Sequence, residues 1–329
     1  MSPLASVVKY FRASLSKHSV VRIRRTMGRF HASGDNKRVG RLLDMRVLDP
    51  REPIDVLIAT YNSAEFLDRV IEAIKRCVPV GRIVAADHYS TDRTLDILRK
   101  HSAEIHFENV SLGYARQLLI ENAKTRVFMM LDSDVVLHDG SWYPRALGML
   151  GSHVGGSKRV GAVALIPSEN PPVPLRKYTE FWWHLIPALE RDFFVTHSTL
   201  ILKEAVEGIK IPQSLGAAED VYIWLHIRRK GQVTRTIRVR GIHHFAHSES
   251  KGSWMGANLR ILQGLVGKEV LPFVLRNVCA YPMLSTIAAV FMRDRDVLTY
   301  NLKRWYGYLQ GYSNPRKFRQ IIRTTSAMS

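Results

Sequence analysis

Four short strand-like runs, separated by three helix-compatible stretches, constrain this chain most. They are IDVLIAT (Ile54–Thr60), RIVAA (Arg82–Ala86), EIHF (Glu104–Phe107) and VFMML (Val127–Leu131). The mostly apolar runs among them, with little alternation, suit strands buried on both faces. The intervening segments change to helical spacing. Phe66, Leu67, Val70, Ile71 and Ile74 form one apolar stripe. Asn62 stands as a candidate N-cap, with Glu65 three residues on as its capping-box partner. Thr91–Lys100 and Leu112–Lys124 read as the next two helices. The βα alternation predicts an α/β fold with a mostly parallel sheet and helices on both faces. Right-handed crossovers then bring the strand C-termini to one edge, where open α/β sheets bind ligands.

Acidic residues fall at that edge. Asp87 follows the second apolar run, and Ser90 or Thr91 can cap the helix behind it. Asp132 and Asp134 follow five consecutive apolar residues. Two carboxylates one residue apart suit a hard divalent cation, Mg²⁺ or Mn²⁺, carrying a diphosphate; the plain alternative is a solvated turn. Glu219 and Asp220 open a further helical stretch, Ala218–Lys230. They favour the helix dipole there, or one serves as a general base toward an acceptor hydroxyl. His243, His244 and His247 lie within five residues, a concentration that suggests a metal or phosphate contact. Gly161–Ile166 and Thr199–Leu202 read as later strands. The Pro-rich, aromatic stretch between them, 168–187, reads as a substrate-lining loop.

Composition frames the partners. The 329 residues are 46% hydrophobic, carry a formal net charge of +19 and have a pI of about 10.1. Residues 1–51 hold 12 Lys and Arg against 3 Asp and Glu, a local excess of +9, and read as a basic arm. Such a balance points to anionic partners: phosphorylated substrates, a membrane surface or nucleic acid. Cys77 and Cys279 make neither a disulfide framework nor a zinc site, which suits a reducing compartment. No secretory signal is apparent at the N-terminus. The segment 271–292 is long enough to span a bilayer. Pro272, Arg276, Asn277 and Pro282 argue against a simple span. So does the basic tail (Arg316, Lys317, Arg319, Arg323), which a single crossing would put opposite the basic arm. A buried helix pair or an interfacial element is expected instead. Trp305–Tyr312, beside Lys303 and Arg304, reads as an aromatic interfacial belt.

In order and spacing, several segments together resemble the family 2 glycosyltransferases of the GT-A fold. They are DVLIATYN (Asp55–Asn62), DHYSTDRT (Asp87–Thr94), GYARQ (Gly113–Gln117), FMMLDSD (Phe128–Asp134), AED (Ala218–Asp220) and the histidine segment. The likeness runs from about Ile54 to Ser250. It implies an inverting transferase acting by a single displacement. Thr60, Tyr61 and Asn62 would border the nucleotide base, Asp87 would bind base or ribose, and Arg116 would lie near the nucleotide. Asp132 and Asp134 would hold the metal and diphosphate, and Asp220, with Glu219 beside it, would be the catalytic base. His244 or His247 would contact the metal. Gln117 stands where the family often has Asn, and the stretch Phe194–Leu200 lacks the family's glycine.

These readings predict three parts: a basic arm (1–51), a GT-A catalytic domain (52–258) and a helical C-terminal extension (259–329). The expected activity moves a sugar from a nucleotide-sugar donor to a lipid-linked or polysaccharide acceptor, at the cytoplasmic face of a membrane. A nucleic-acid-binding protein fits the charge but has no zinc-finger or RRM signature, and its strand-end carboxylates would repel phosphate. A nucleotidyltransferase would want a Gly-rich phosphate loop near the N-terminus. A non-catalytic membrane-associated relative would have little use for both acidic pairs.

Overall fold

A computed structural model describes residues 48–154, 158–167, 195–239, 242–244, 251–275 and 293–318, with single positions between 283 and 290. The arm through residue 47, the 168–187 loop, Cys279, His247 and the tail beyond 318 lie outside the described residues.

The elements follow the predicted rhythm: β1 (Ile54–Thr60), α1 (Leu67–Cys77), β2 (Val80–Asp87), α2 (Thr94–Lys100), β3 (Glu104–Phe107), α3 (Leu112–Asn122) and β4 (Val127–Asp132). Then come β5 (Val135–Leu137), α4 (Trp142–Met149), β6 (His153–Val154), β7 (Lys158–Pro167), β8 (Ser198–Leu202), α5 (Glu219–Arg229), β9 (Val233–Val239) and β10 (Ile242–His244). Two long helices follow, α6 (Lys251–Val266) and α7 (Arg295–Ser313).

The main sheet runs β3-β2-β1-β4-β8-β7-β6, with β9 also paired to β7. Its first four strands are parallel, while β8 is antiparallel to both β4 and β7. The parallel expectation therefore holds for the centre, and the sheet turns mixed beyond β4. The apolar runs explain the core. Val56, Leu57 and Ile58 of β1 and Phe128 to Leu131 of β4 are all buried, and α1 covers them with Leu67, Val70, Ile71 and Ile74.

Asp55 fixes the N-terminal end of β1. This buried carboxylate accepts from Arg82 Nε at 3.0 Å and Nη2 at 2.7 Å, and from the Lys124 and Thr125 amides at 2.6 and 3.1 Å. The first residue of the first motif is thus a strut, tying β1 to β2 and to the turn before β4.

Two expectations for helix starts change. The first helix begins at Leu67, and Asn62 caps nothing: it sits at φ 44°, and its side-chain oxygen accepts from the Thr91 amide at 2.9 Å. Asn is among the residues that tolerate this left-handed conformation. The second helix begins at Thr94, with Asp92 accepting from the Thr94 and Ala64 amides, both at 3.0 Å. Ser63 N donates to Thr94 Oγ1 at 2.7 Å, and Asn62 N donates to Ser90 Oγ at 2.9 Å. The loops after β1 and β2 are therefore laced together, so local capping signals lose to contacts made about 30 residues away.

The expected boundary at 258/259 falls inside α6, and Leu48–Ser329 forms one compact unit. Among the described residues, no helix is long and apolar enough to cross a membrane.

Candidate active site

Register brings the acidic residues to one edge. Thr60 at the end of β1 is paired with Asp87 at the end of β2, and Ala59 with Asp132 at the end of β4. Asp134 follows in the turn between β4 and β5. Ser133, between the two aspartates, shares a 2.8 Å hydrogen bond with Ser63. This bond pins the aspartate turn to the loop after β1.

Arg116 organises the interior of the site. Its side chain is only 2% exposed, and Nη2 donates to Asp132 Oδ1. Nε faces Glu219 Oε1 at 3.8 Å, beyond hydrogen-bond range. Nη1 has no hydrogen-bond partner among the described residues. Burial disfavours the guanidinium charge, but Asp132 and then Glu219 outweigh it and raise the pKa. Asp132 keeps its side chain 30% exposed, so the carboxylate is held from behind and open in front.

The acidic pair of α5 divides into two environments. Glu219 is buried, with Thr196 Oγ1 at 3.4 Å and Arg116 behind it, while Asp220 is half-buried. Ala218, at φ 63°, makes the sharp entry that aims this first turn. Burial pushes the Glu219 carboxyl well above the usual carboxylate range, and the charge of Asp220 adds to it. Burial also raises Asp220; repulsion from Asp132 adds to this, against the Val221 amide and Arg116. Three carboxylates share one guanidinium, an excess of negative charge in a low-dielectric setting.

That excess, together with oxygen donors at Asp132 and Asp134, fits a hard divalent cation. Among the described residues, no preformed group of three metal-ligating side chains occurs. Of the expected histidines, His244 is seen through its backbone. Its strand is antiparallel to β5 and opposes it to Val135, the residue after Asp134. Its side chain, like all of His247, lies outside the described residues.

The residues expected on the donor side are held as follows. Asp87 is fully buried, accepting from Thr60 Oγ1 at 2.8 Å, Ser90 N at 2.8 Å and Ser90 Oγ at 2.6 Å. Asp87 and the buried Thr60 thus brace the strand ends from within. The Asn62 side-chain oxygen is likewise engaged by Thr91. Tyr61 presents an accessible ring, 36% exposed and edge-on to His88 at 5.4 Å.

Sequence reasoning missed several supports. The stretch without the family's glycine supplies Thr196 to Glu219, and His197 O accepts from the Asp132 amide at 3.0 Å. Gln117 accepts from Ile211 N at 2.8 Å and donates to Ile209 O at 3.2 Å, clamping the strand of chain that leads to α5. Gly113 lets α3 approach that chain closely, since a Cβ there would sit 2.6 Å from Leu215 O. Asn258 Oδ1 accepts from the Gly216 amide at 2.8 Å and so holds the turn ahead of Glu219. No sequence signal announced Thr196 or Asn258, because both act through partners far along the chain.

Residues 55–198 match the family described as Glycosyl transferase family 2. This segment resembles a family 2 glycosyltransferase domain. It adopts the GT-A fold. The chain resembles the mannosyltransferase PcManGT from Pyrobaculum calidifontis, whose structure holds GDP-Man and Mn²⁺. The TM-score is 0.59 at 15% identity, covering 85% of this chain and 94% of that one. It also resembles glucosyl-3-phosphoglycerate synthase from Mycobacterium tuberculosis, with a TM-score of 0.47 at 14% identity, covering 64% and 79%. No curated protein sequence matches the chain. The structural likeness to the first structure covers 85% of this chain, a longer stretch than residues 55–198.

Proposed function

We propose that the protein is an inverting, divalent-cation-dependent glycosyltransferase that moves a sugar from a nucleoside-diphosphate donor to an acceptor hydroxyl. The observation that carries this reading is the junction of Arg116 with Asp132 on one side and the Glu219–Asp220 turn on the other. A donor-side carboxylate and a candidate base share one buried hub there, although 88 residues separate Asp132 from Asp220 in sequence.

Asp132 and Asp134 would hold Mg²⁺ or Mn²⁺, with His244 or His247 as a further ligand. The bound cation would neutralise the charge that grows on the departing diphosphate. Tyr61 borders the base, with Thr60, Asn62 and Asp87 shaping the wall behind it. Asp220 takes the proton of the acceptor hydroxyl as its oxygen attacks the anomeric carbon from the face opposite the leaving group. Its raised pKa suits that task, because a base works best when its pKa lies near the working pH. Glu219 is too enclosed to reach an acceptor. It orients Arg116 and keeps Asp220 in place.

The acceptor we favour is a lipid-linked or polysaccharide hydroxyl, met by a protein resting on the cytoplasmic face of a membrane. The net charge of +19 and the basic arm support that location. The test is a panel of nucleotide sugars scored by thermal shift with Mn²⁺, with GDP-mannose first because of the similar mannosyltransferase. A true donor raises the melting temperature by mass action only when Mn²⁺ is present. A panel in which no nucleotide sugar shifts melting would overturn the reading.

A further inference from the structure

The two C-terminal helices cross with their backbones in contact. Gly252 and Gly256 of α6 face α7, and Gly307 and Gly311 of α7 face α6. A Cβ on Gly252 would lie 2.8 Å from Arg304 O. One on Gly256 would meet Tyr308 O, and one on Gly311 would meet Ser253 O. Close approach of this kind makes a rigid pair.

The crossing uses up part of the expected aromatic belt. Tyr308 is buried, and Arg304 packs between the Tyr300 and Tyr308 rings, 6.0 and 5.6 Å from their centroids, with Nη1 donating to Tyr300 Oη at 3.0 Å. What remains outside is a different stripe. Leu302, Tyr306 and Leu309 are 46%, 64% and 45% exposed, at helical positions i, i+4 and i+7. Met283, Ile287 and Val290, each helical where described, stand at the same spacing and are 52%, 39% and 58% exposed. A protein with a well-filled core has no packing reason to leave six large apolar side chains out at helical spacing.

The surrounding charge is one-sided. Arg293, Arg295, Lys303, Arg316 and Lys317 are exposed, against Asp296 as the single exposed acid of residues 293–318. Lys303 adjoins Leu302, and Arg295 lies two turns before it, on the same side of the helix.

We propose that this face docks on an anionic lipid bilayer, with the apolar stripe entering the boundary between headgroups and acyl chains and the cations meeting lipid phosphates. This deepens the membrane part of the function proposed above, while standing independently of the donor assignment. A second copy of the chain is the poorer occupant, because a symmetric contact would press the cationic rim against itself. Nucleic acid would satisfy the cations and leave the leucines in water.

The test is co-sedimentation of the full chain with vesicles of phosphatidylcholine alone or with 30% phosphatidylglycerol, at low and high salt. The expected result is at least tenfold tighter binding to the anionic vesicles, weakened by salt. Leu302→Glu with Leu309→Glu should reduce binding at least tenfold while leaving melting and Mn²⁺-dependent nucleotide-sugar hydrolysis unchanged. Arg295→Glu with Lys303→Glu, both at exposed positions, gives a second variant; it should remove the preference for anionic lipid. The proposal is overturned if both variants bind like wild type, which would assign the contact to the basic arm. It is also overturned if wild type ignores anionic vesicles, or if the leucine variant turns a dimer into a monomer. Hydrolysis without vesicle binding would sink the docking face alone, whereas vesicle binding without any donor response would sink only the transferase reading.

Discussion

Asp55→Asn isolates how a motif residue can serve the fold instead of the chemistry. The substitution keeps the shape but replaces an acceptor-only carboxylate with a group that has one acceptor oxygen and an NH₂. Four donors converge on Asp55: two from Arg82 and the amides of Lys124 and Thr125. Breaking a buried charge pair typically costs about 3–5 kcal/mol. Arg82 is 28% exposed and can be partly rehydrated, so the low end, about 3 kcal/mol, is expected. At about 2–4 °C per kcal/mol, that lowers the melting temperature by about 6–12 °C. Burial pushes the Asp55 carboxyl up, but Arg82 and the two amides outweigh it and hold the pKa below 3.8. A depressed carboxyl contributes stability that is fully present above the unfolded-state pKa and lost as pH falls through the folded-state value. The melting gap between wild type and variant should thus stay flat from about pH 8 to pH 5 and close below about pH 4. Differential scanning fluorimetry across pH measures it. Nucleotide binding should persist, because Asp55 lies at the far end of β1 from Thr60. Co-melting at pH 7, or a gap unchanged at pH 3, would refute the strut.

Other outcomes follow from the same geometry. Asp220→Asn should retain Mn²⁺-dependent nucleotide binding while kcat falls about 10²–10⁴-fold, the usual contribution of a general base; equal loss of binding would mean that Asp220 belongs to the donor site. Asp134→Ala should lose the Mn²⁺-dependent thermal shift altogether, and a wild-type shift in that variant would remove Asp134 from the metal site. Since Glu219 and Asp220 are both pushed upward by burial, Mn²⁺ binding should release more protons at pH 6 than at pH 9. Calorimetry in buffers of different ionisation enthalpy reads that difference. Gly311→Ala should cost about 1–3 kcal/mol by overpacking against Ser253, seen as a lower urea midpoint.

The sheet was legible because β1, β2 and β4 are enclosed on both faces, and such strands write themselves as unbroken apolar runs. The acidic edge was legible for a related reason: a polar residue directly after such a run must sit at the strand's exit. What escaped was long-range. Asn62 looked like a cap, yet its oxygen belongs to Thr91, and a capping rule sees only its own neighbourhood. Glu219 and Asp220 were told apart only by the family resemblance, and burial separates them through Thr196 and Arg116. Asp87 was legible as a strand-end residue, whereas its hydrogen bonds from the hydroxyls of Thr60 and Ser90 were not. The glycines of α6 and α7 show their use only once the opposing backbone is in place. The fold therefore followed from local pattern, while the division of labour among the site residues depended on tertiary contacts.

Asn258 has a practical consequence. The matched family segment stops at 198, the candidate base stands at 220, and the amide just ahead of it is gripped from α6. A chain cut back to residue 250 would keep every strand of the central sheet and still lose the grip that sets the base. Any tail grafted in its place would have to return one carboxamide to that spot, or the shortened enzyme would bind its donor and turn over slowly.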